Sequence, residues 1–143
     1  MHILAIDYGT KRIGLAWSDT TLGVVLPYGV VEGKREKGKG EREEGKGERQ
    51  KVEELAELIN SEKIDKIVVG FPVSLDSKEN KNTERIKKFV FELQKHISAD
   101  LEYFDERFSS QAADAVGEGV SRDERSAMII LQSYLERKKA GRL

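Results

Sequence analysis

Acidic residues at four positions of this 143-residue chain could together perform hydrolytic chemistry. Asp7 lies near the end of an apolar run, and Asp105 and Glu106 follow a second apolar run. Asp123 lies in the opening turn of a predicted helix, on the same face as several apolar residues. Carboxylates that are held close together repel one another unless they are protonated or neutralised by cations. Mg²⁺ or Mn²⁺, which prefer oxygen ligands, would neutralise such a cluster.

Basic and hydroxyl residues lie next to these acids. Lys11 and Arg12 come shortly after the first acid, and Arg107, Ser109 and Ser110 follow the adjacent pair. Guanidinium groups bind phosphate oxygens in a fork, so we expect Arg12 and Arg107, together with Lys11, to bind substrate phosphates. Ser109 and Ser110 are further candidates for phosphate binding. The alternatives are that each arginine pairs with a nearby acid and that the serines cap a helix.

The apolar pattern predicts three strands at the start of the chain. Residues 2–8 form a run that suits a strand buried on both faces, and residues 13–18 and 24–31 follow it. The links between these runs are short enough for antiparallel hairpins. We therefore expect the first three strands to be antiparallel, with residues 2–8 at the centre of the sheet.

Helices and strands alternate in the remainder of the chain. The pattern first predicts a helix from Val52, a strand at 66–69 ending at Gly70, and a loop at 71–76 that contains Pro72. A helix at 86–97, capped by Asn82 or Thr83, and a strand at 101–104 follow. The chain then continues with a short helix capped by Ser109 or Ser110 and a last helix after Ser121-x-x-Glu124. Helix-linked strands pair in parallel, so we predict an α/β fold with a mixed five-stranded sheet flanked by helices. If the first and last strands are parallel and adjacent, the acids that end them open onto one edge of the sheet.

A charged tract at residues 33–51 interrupts this pattern. It contains thirteen charged residues, five glycines and one glutamine, and no hydrophobic residue. Such a segment cannot bury enough apolar surface to offset its ordering entropy. We expect it to be a mobile insertion in a single domain that spans residues 1–143.

Composition excludes several classes of protein. The formal net charge is −1, which argues against binding nucleic acid through bulk charge alone. Cysteine is absent, which removes disulfides, zinc-thiolate sites and thiol nucleophiles. No apolar stretch approaches the roughly 18 residues that cross a bilayer, and no signal peptide precedes the first strand. We expect a cytoplasmic protein that does not enter a membrane.

Four segments, in the same order along the chain, resemble the signatures of the YqgF/RuvX family. They are Asp7-x-Gly9-x-x-Arg12-Ile13-Gly14-x-Ala16, Gly70-Phe71-Pro72, Asp105-Glu106-Arg107-Phe108-Ser109-Ser110-x-x-Ala113, and Asp123-x-x-Ser126-Ala127-x-x-Ile130-Leu131-Gln132-Ser133-Tyr134-Leu135. The family usually has Leu where this chain has Phe71, and it has a shorter link in place of the charged tract.

The resemblance implies an RNase H-like fold similar to that of RuvC-type Holliday-junction resolvases, and a role in processing the 5′ end of the 16S ribosomal RNA precursor. Asp7, the Asp105–Glu106 pair and Asp123 match the family's catalytic acids. On the resemblance alone, the metal ligands are Asp7, Asp123 and, in preference to Asp105, Glu106. The implied reaction is phosphodiester hydrolysis by water that one or two Mg²⁺ or Mn²⁺ ions activate.

Three other functions stay open at this point. The chain could resolve branched DNA, or it could be a non-catalytic RNA-binding factor in ribosome assembly. The segment Asp7-Tyr8-Gly9-Thr10 also resembles the first phosphate loop of actin-like and sugar-kinase ATPases, although 143 residues do not supply their second lobe. A homodimer is expected if the substrate is a two-fold symmetric junction.

Overall fold

The computed structural model describes residues 1–32, 44–72, 80–109 and 119–141. Five strands form one sheet in the order β3-β2-β1-β4-β5. In chain order the elements are β1 (His2–Tyr8), β2 (Arg12–Asp19), β3 (Val24–Glu32), α1 (Glu44–Ser61), β4 (Lys66–Phe71), α2 (Lys81–Gln94), β5 (Asp100–Asp105), a single 3₁₀ turn (Glu106–Phe108) and α3 (Arg122–Lys139).

The sheet is mixed, as the sequence predicts. β1 pairs antiparallel with β2, and β2 pairs antiparallel with β3. On its other side β1 pairs in parallel with β4, and β4 pairs in parallel with β5. The predicted α/β fold, with three antiparallel strands first and residues 2–8 at the centre of the sheet, is confirmed.

Two hydrophobic clusters cover the two faces of the sheet. Leu4 and Ile6 of β1 belong to the cluster that contains the apolar residues of α1 and α2. Ile3 and Ala5 belong to the cluster under α3. Successive strand residues point to opposite faces, so an uninterrupted apolar run is what a strand covered on both sides requires.

Helix α1 begins at Glu44, inside the tract predicted to be a mobile insertion. The prediction is therefore wrong for residues 44–51, and residues 33–43 lie outside the described residues. Glu and Lys are good helix formers, and Glu48 forms an i,i+3 ion pair with Lys51 at 2.8 Å. Lys51 is also only 3% exposed. Tertiary contacts thus order residues whose composition alone favours a loop.

Side-chain caps fix where the other two helices begin. Asn80 caps α2 by accepting hydrogen bonds from the backbone N–H groups of Asn82 and Thr83 at 2.9 and 3.1 Å. The predicted cap at one of those two residues is therefore wrong by two or three positions. Ser121 caps α3 and accepts from the backbone N–H of Glu124 at 3.3 Å, as its sequence pattern predicts.

Two further sequence predictions lie partly or wholly outside the described residues. The predicted start of the loop at Phe71 is wrong by one residue, since Phe71 is the last residue of β4, and residues 73–76 of that loop are not described. The predicted short helix falls on residues 110–118, which are also not described. Among the described helices, none is both long and apolar enough to cross a bilayer.

Candidate active site

Asp7 lies near the carboxyl end of the central strand, on the face of the sheet that α3 covers. In the antiparallel ladder its partner on β2 is Gly14. On the other side Ile6 pairs with Val69, which places Gly70 next along β4. The half-buried carboxyl group is thus flanked by glycine on both neighbouring strands.

The glycine on β2 lets the first turn of α3 approach the sheet. A Cβ atom on Gly14 would overlap the backbone carbonyl of Asp123 and would lie 3.0 Å from the Cβ of that residue. Because Gly14 is the ladder partner of Asp7, this close approach brings Asp123 beside Asp7.

The glycine on β4 makes room for a third acid. A Cβ atom on Gly70 would lie 2.8 Å from Oε1 of Glu106 and 2.5 Å from Cδ1 of Ile130. The carboxylate of Glu106 therefore lies over Gly70, in the space that any other residue would fill. Asp7 thus lies beside Asp123 of α3 and beside Glu106, which follows β5, and each pair of acids interacts electrostatically.

Burial and like charge act together on Asp7. Burial is the main cause that raises the pKa of Asp7 to about 6, and the charge of Asp123 adds to it. A hydrogen bond from the Ser126 side chain acts in the opposite direction and lowers this pKa. Asp7 is thus a carboxylate whose negative charge is only partly compensated.

Glu106 has a similar environment. Burial, together with the charges of Asp7 and Asp105, raises the pKa of Glu106 to about 7. Within the described part of the chain, no cation lowers the pKa of Asp7 or of Glu106. An arrangement of this kind gains free energy from any cation that binds between the acids.

Asp105 has a different partner. It accepts hydrogen bonds from Nη2 and Nε of Arg107 at 2.6 and 2.9 Å, and from the backbone N–H of Arg107 at 2.9 Å. These bonds hold the pKa of Asp105 below its ordinary value. The two adjacent acids therefore differ: Asp105 pairs with Arg107, whereas Glu106 faces Asp7.

The converging acids suit a hard divalent cation by their chemistry. Carboxylate oxygens are the ligands that Mg²⁺ and Mn²⁺ prefer, and uncompensated charge favours their binding. Among the described side chains, no three acidic or other metal-binding groups already stand at coordination distances from a common point. The donor set therefore fits such an ion, although these side-chain conformations are not those of a closed coordination shell.

The residues predicted to bind phosphate have different environments in the structure. Lys11 and Arg12 are exposed, and Nε of Arg12 lies 3.6 Å from Oε1 of the equally exposed Glu32. Arg107 pairs with its neighbouring acid, as the alternative interpretation of the sequence anticipated. Ser109 ends the 3₁₀ turn, where its backbone N–H donates to the carbonyl of Glu106 at 3.0 Å. Ser110 lies outside the described residues.

Sequence reasoning gave no role to three residues that build this site. Ser126 bonds to Asp7, and its position three residues after Asp123 on one helix face was the available signal. Gly14 and Gly70 appeared in the quoted signatures without a structural role. Their need for close packing becomes visible only when the strands are paired.

Comparisons with known proteins agree over almost the whole chain. A family model described as "RuvX: Holliday junction resolvase" matches residues 1–137. A protein of Maridesulfovibrio salexigens named "Putative pre-16S rRNA nuclease" is 34% identical over 96% of this chain and 99% of its own length. A protein of the same name from a Sulfurihydrogenibium species is 36% identical over 95% of this chain and 90% of its own.

The fold also matches a solved structure. Thermus thermophilus RuvC, in complex with a Holliday junction substrate, superposes with a TM-score of 0.66 and covers 99% of this chain and 97% of its own. The sequence identity is 11%. This likeness therefore shows that the two proteins share a fold.

Proposed function

Because this chain belongs to the RuvX family, we propose that it is a divalent-metal-dependent endonuclease that hydrolyses phosphodiester bonds. The observation that carries the proposal is that Asp7 lies beside two other acids from distant parts of the chain, Glu106 and Asp123. Two of these acids have a raised pKa, and no described cation lowers either. Such a cluster lowers the stability of the folded protein. Metal-dependent hydrolysis of a phosphodiester is a function that requires clustered acids of this kind.

In this proposal Asp7, Glu106 and Asp123 hold Mg²⁺ or Mn²⁺. A divalent ion there supplies the Lewis-acid chemistry that activates water and neutralises charge on the phosphate. Ser126 orients Asp7 through its hydrogen bond. The pairing of Asp105 with Arg107 supports assigning the ligand role to Glu106 instead of Asp105.

The same chain supplies groups that would bind the substrate's backbone. Lys11 and Arg12 extend from the turn that follows Asp7 and are exposed to solvent. They would hold phosphates flanking the bond to be cut, because basic side chains at such sites fix the register of a nucleic acid. Arg107, Ser109 and Ser110, which follow Glu106 in the sequence, would also bind substrate phosphates.

We further propose that the natural substrate is the 5′ region of the 16S ribosomal RNA precursor. The names of the relatives that are 34% and 36% identical support this choice. The family description favours a second candidate, the resolution of branched DNA. A homodimer would suit that second substrate, since a two-fold junction requires two cuts related by symmetry.

Cleavage assays on matched substrates test these proposals. The purified protein with Mg²⁺ or Mn²⁺ should cut a precursor 16S RNA fragment faster than a four-way DNA junction, and Asp7→Asn should not cut either. Asp100→Asn, an exposed acid at the start of β5, is the control and should cut normally. Cleavage by Asp7→Asn at the wild-type rate would exclude this site. Metal-dependent RNA binding without cleavage would favour the assembly factor, and ATP hydrolysis alone would favour the ATPase.

A further inference from the structure

Lys51 is a lysine from the charged tract that is almost completely buried. Its residue is 3% exposed, and its ammonium group donates a hydrogen bond to the carbonyl of Thr10 at 2.8 Å. It also lies 2.8 Å from Oε2 of Glu48 and 5.6 Å from the centre of the Tyr8 ring. A buried charge is tolerated only where such partners replace its water. The partners of Lys51 therefore indicate a specific attachment between α1 and the start of the chain.

These contacts connect four residues in the order Tyr8, Glu48, Lys51 and Thr10. The hydroxyl of Tyr8 donates to Oε1 of Glu48 at 2.6 Å, and the other oxygen of that carboxylate accepts from Lys51. Lys51 in turn bonds to Thr10, so both ends of the chain of contacts lie within residues 8–10. Helix α1 thus contacts the chain just before the turn between β1 and β2, at Tyr8, and within the turn, at Thr10.

The position of this turn links the attachment to the candidate active site. The turn, residues 9–11, begins two residues after Asp7, carries Lys11 and leads into Arg12, the first residue of β2. It is tight, because a Cβ atom on Gly9 would lie 2.5 Å from the carbonyl oxygen of Arg12. Any shift at Thr10 would therefore be transmitted to the two basic side chains that follow it.

We infer that Lys51 is a positioning residue, which fixes the turn between β1 and β2 so that Lys11 and Arg12 meet the substrate's phosphates beside Asp7. This inference rests on the proposed nuclease function for its catalytic consequence, but the attachment itself does not. It also gives a structural role to residues 48–51, at the end of the charged tract. Lys51 acts through the turn and does not touch the substrate.

The first experiment measures the attachment without any substrate. Lys51→Met keeps the length of the side chain and removes its charge, and Glu48→Gln removes the partner's charge. In the free protein, amide hydrogen exchange at residues 10–12 should become roughly tenfold faster, the factor expected for loss of one charge-assisted hydrogen bond. Lys88→Met, an exposed lysine on α2, is the matched control and should leave exchange unchanged. Exchange that rises equally across the whole sheet, or does not rise at the turn, would overturn the inference.

The second experiment measures its consequence for catalysis. Lys51→Met should raise KM for precursor RNA by roughly tenfold while kcat stays within about twofold, because the reacting acids are untouched. In a Lys11→Ala, Arg12→Ala background the same substitution should have no further effect on KM. Additive effects would contradict a route through the turn. If the wild-type protein cuts no nucleic acid, the proposed function fails and the exchange experiment alone decides the attachment.

Discussion

Gly14 lies directly opposite Asp7 in the ladder between β1 and β2, and the backbone of Asp123 occupies the space that a side chain at Gly14 would need. The absence of one methyl group therefore lets an acid from the last helix reach an acid from the first strand. We expect Gly14→Ala to push the first turn of α3 outward, at a cost of about 1–3 kcal/mol in the free energy of unfolding. Cleavage should fall far more than the folded fraction does.

Chemical denaturation and cleavage assays on the same samples check this prediction. Gly47→Ala is the matched control, since a Cβ atom there meets nothing within 4 Å. Wild-type activity in a well-folded Gly14→Ala protein would mean that the close approach of α3 is not needed for the reaction.

The control substitution makes a prediction of its own about the charged tract. Gly47 lies within α1, where glycine costs roughly 0.5–1 kcal/mol relative to alanine. Gly47→Ala should therefore raise the free energy of unfolding by about that amount, as measured by urea denaturation. A mobile segment would gain nothing from the change, so an unaltered midpoint would argue against helix at this position.

The raised pKa values predict an unusual dependence of stability on pH. Asp7 and Glu106 have a folded-state pKa of about 6 and about 7, above their ordinary values of 3.8 and 4.5. Between about pH 4 and pH 7 the folded protein binds more protons at these groups than the unfolded chain does. Their contribution to stability is therefore present below pH 4 and is lost as pH rises to 7.

Asp7→Asn isolates this contribution. Without divalent ions, the variant should be more stable than the wild type at pH 7 by up to about 3 kcal/mol, and the difference should shrink towards pH 4. Differential scanning calorimetry across this range measures it. A variant that is less stable than the wild type at pH 7 would contradict the assigned cause, which is burial of an uncompensated charge.

Divalent ions should offset the loss of stability that the buried negative charge of Asp7 causes. At a concentration about 100 times the dissociation constant, binding to the folded state alone stabilises it by about 2.7 kcal/mol. We expect Mn²⁺ or Mg²⁺ to raise Tm of the wild type and of Asp100→Asn at pH 7.5, and to leave Tm of Asp7→Asn unchanged. An equal rise in all three proteins would indicate ion binding elsewhere.

Substitution of the two adjacent acids separates their roles. Glu106→Gln should lower kcat by more than about 100-fold, because loss of even an outer-shell partner of a metal costs about 10–100-fold. Asp105→Asn breaks a partly exposed ion pair with Arg107, which costs about 1 kcal/mol or less, and should leave most of the activity. Single-turnover cleavage at saturating metal measures both. The reverse order of effects would assign the ligand role to Asp105.

The sequence by itself predicted a mixed sheet with the first strand at its centre, because a run buried on both faces must be central. The assumption that the first and last strands are adjacent is wrong because β4 lies between them, but β1, β4 and β5 are parallel and so end at the same edge. The sequence also predicted the cap at Ser121, since N-caps are local. It could not choose between Asp105 and Glu106, which differ only in the direction that each side chain takes after the last strand.

Tertiary structure decided what depends on distant partners. Residues 44–51 have the composition of a solvated loop, yet Lys51 is held by Tyr8 and Thr10, about forty positions earlier in the chain. The roles of Gly14 and Gly70 likewise follow from which backbone or carboxylate lies above them. Local pattern determines where helices and strands form, whereas contacts between segments far apart in the sequence determine which charges are buried and what compensates them.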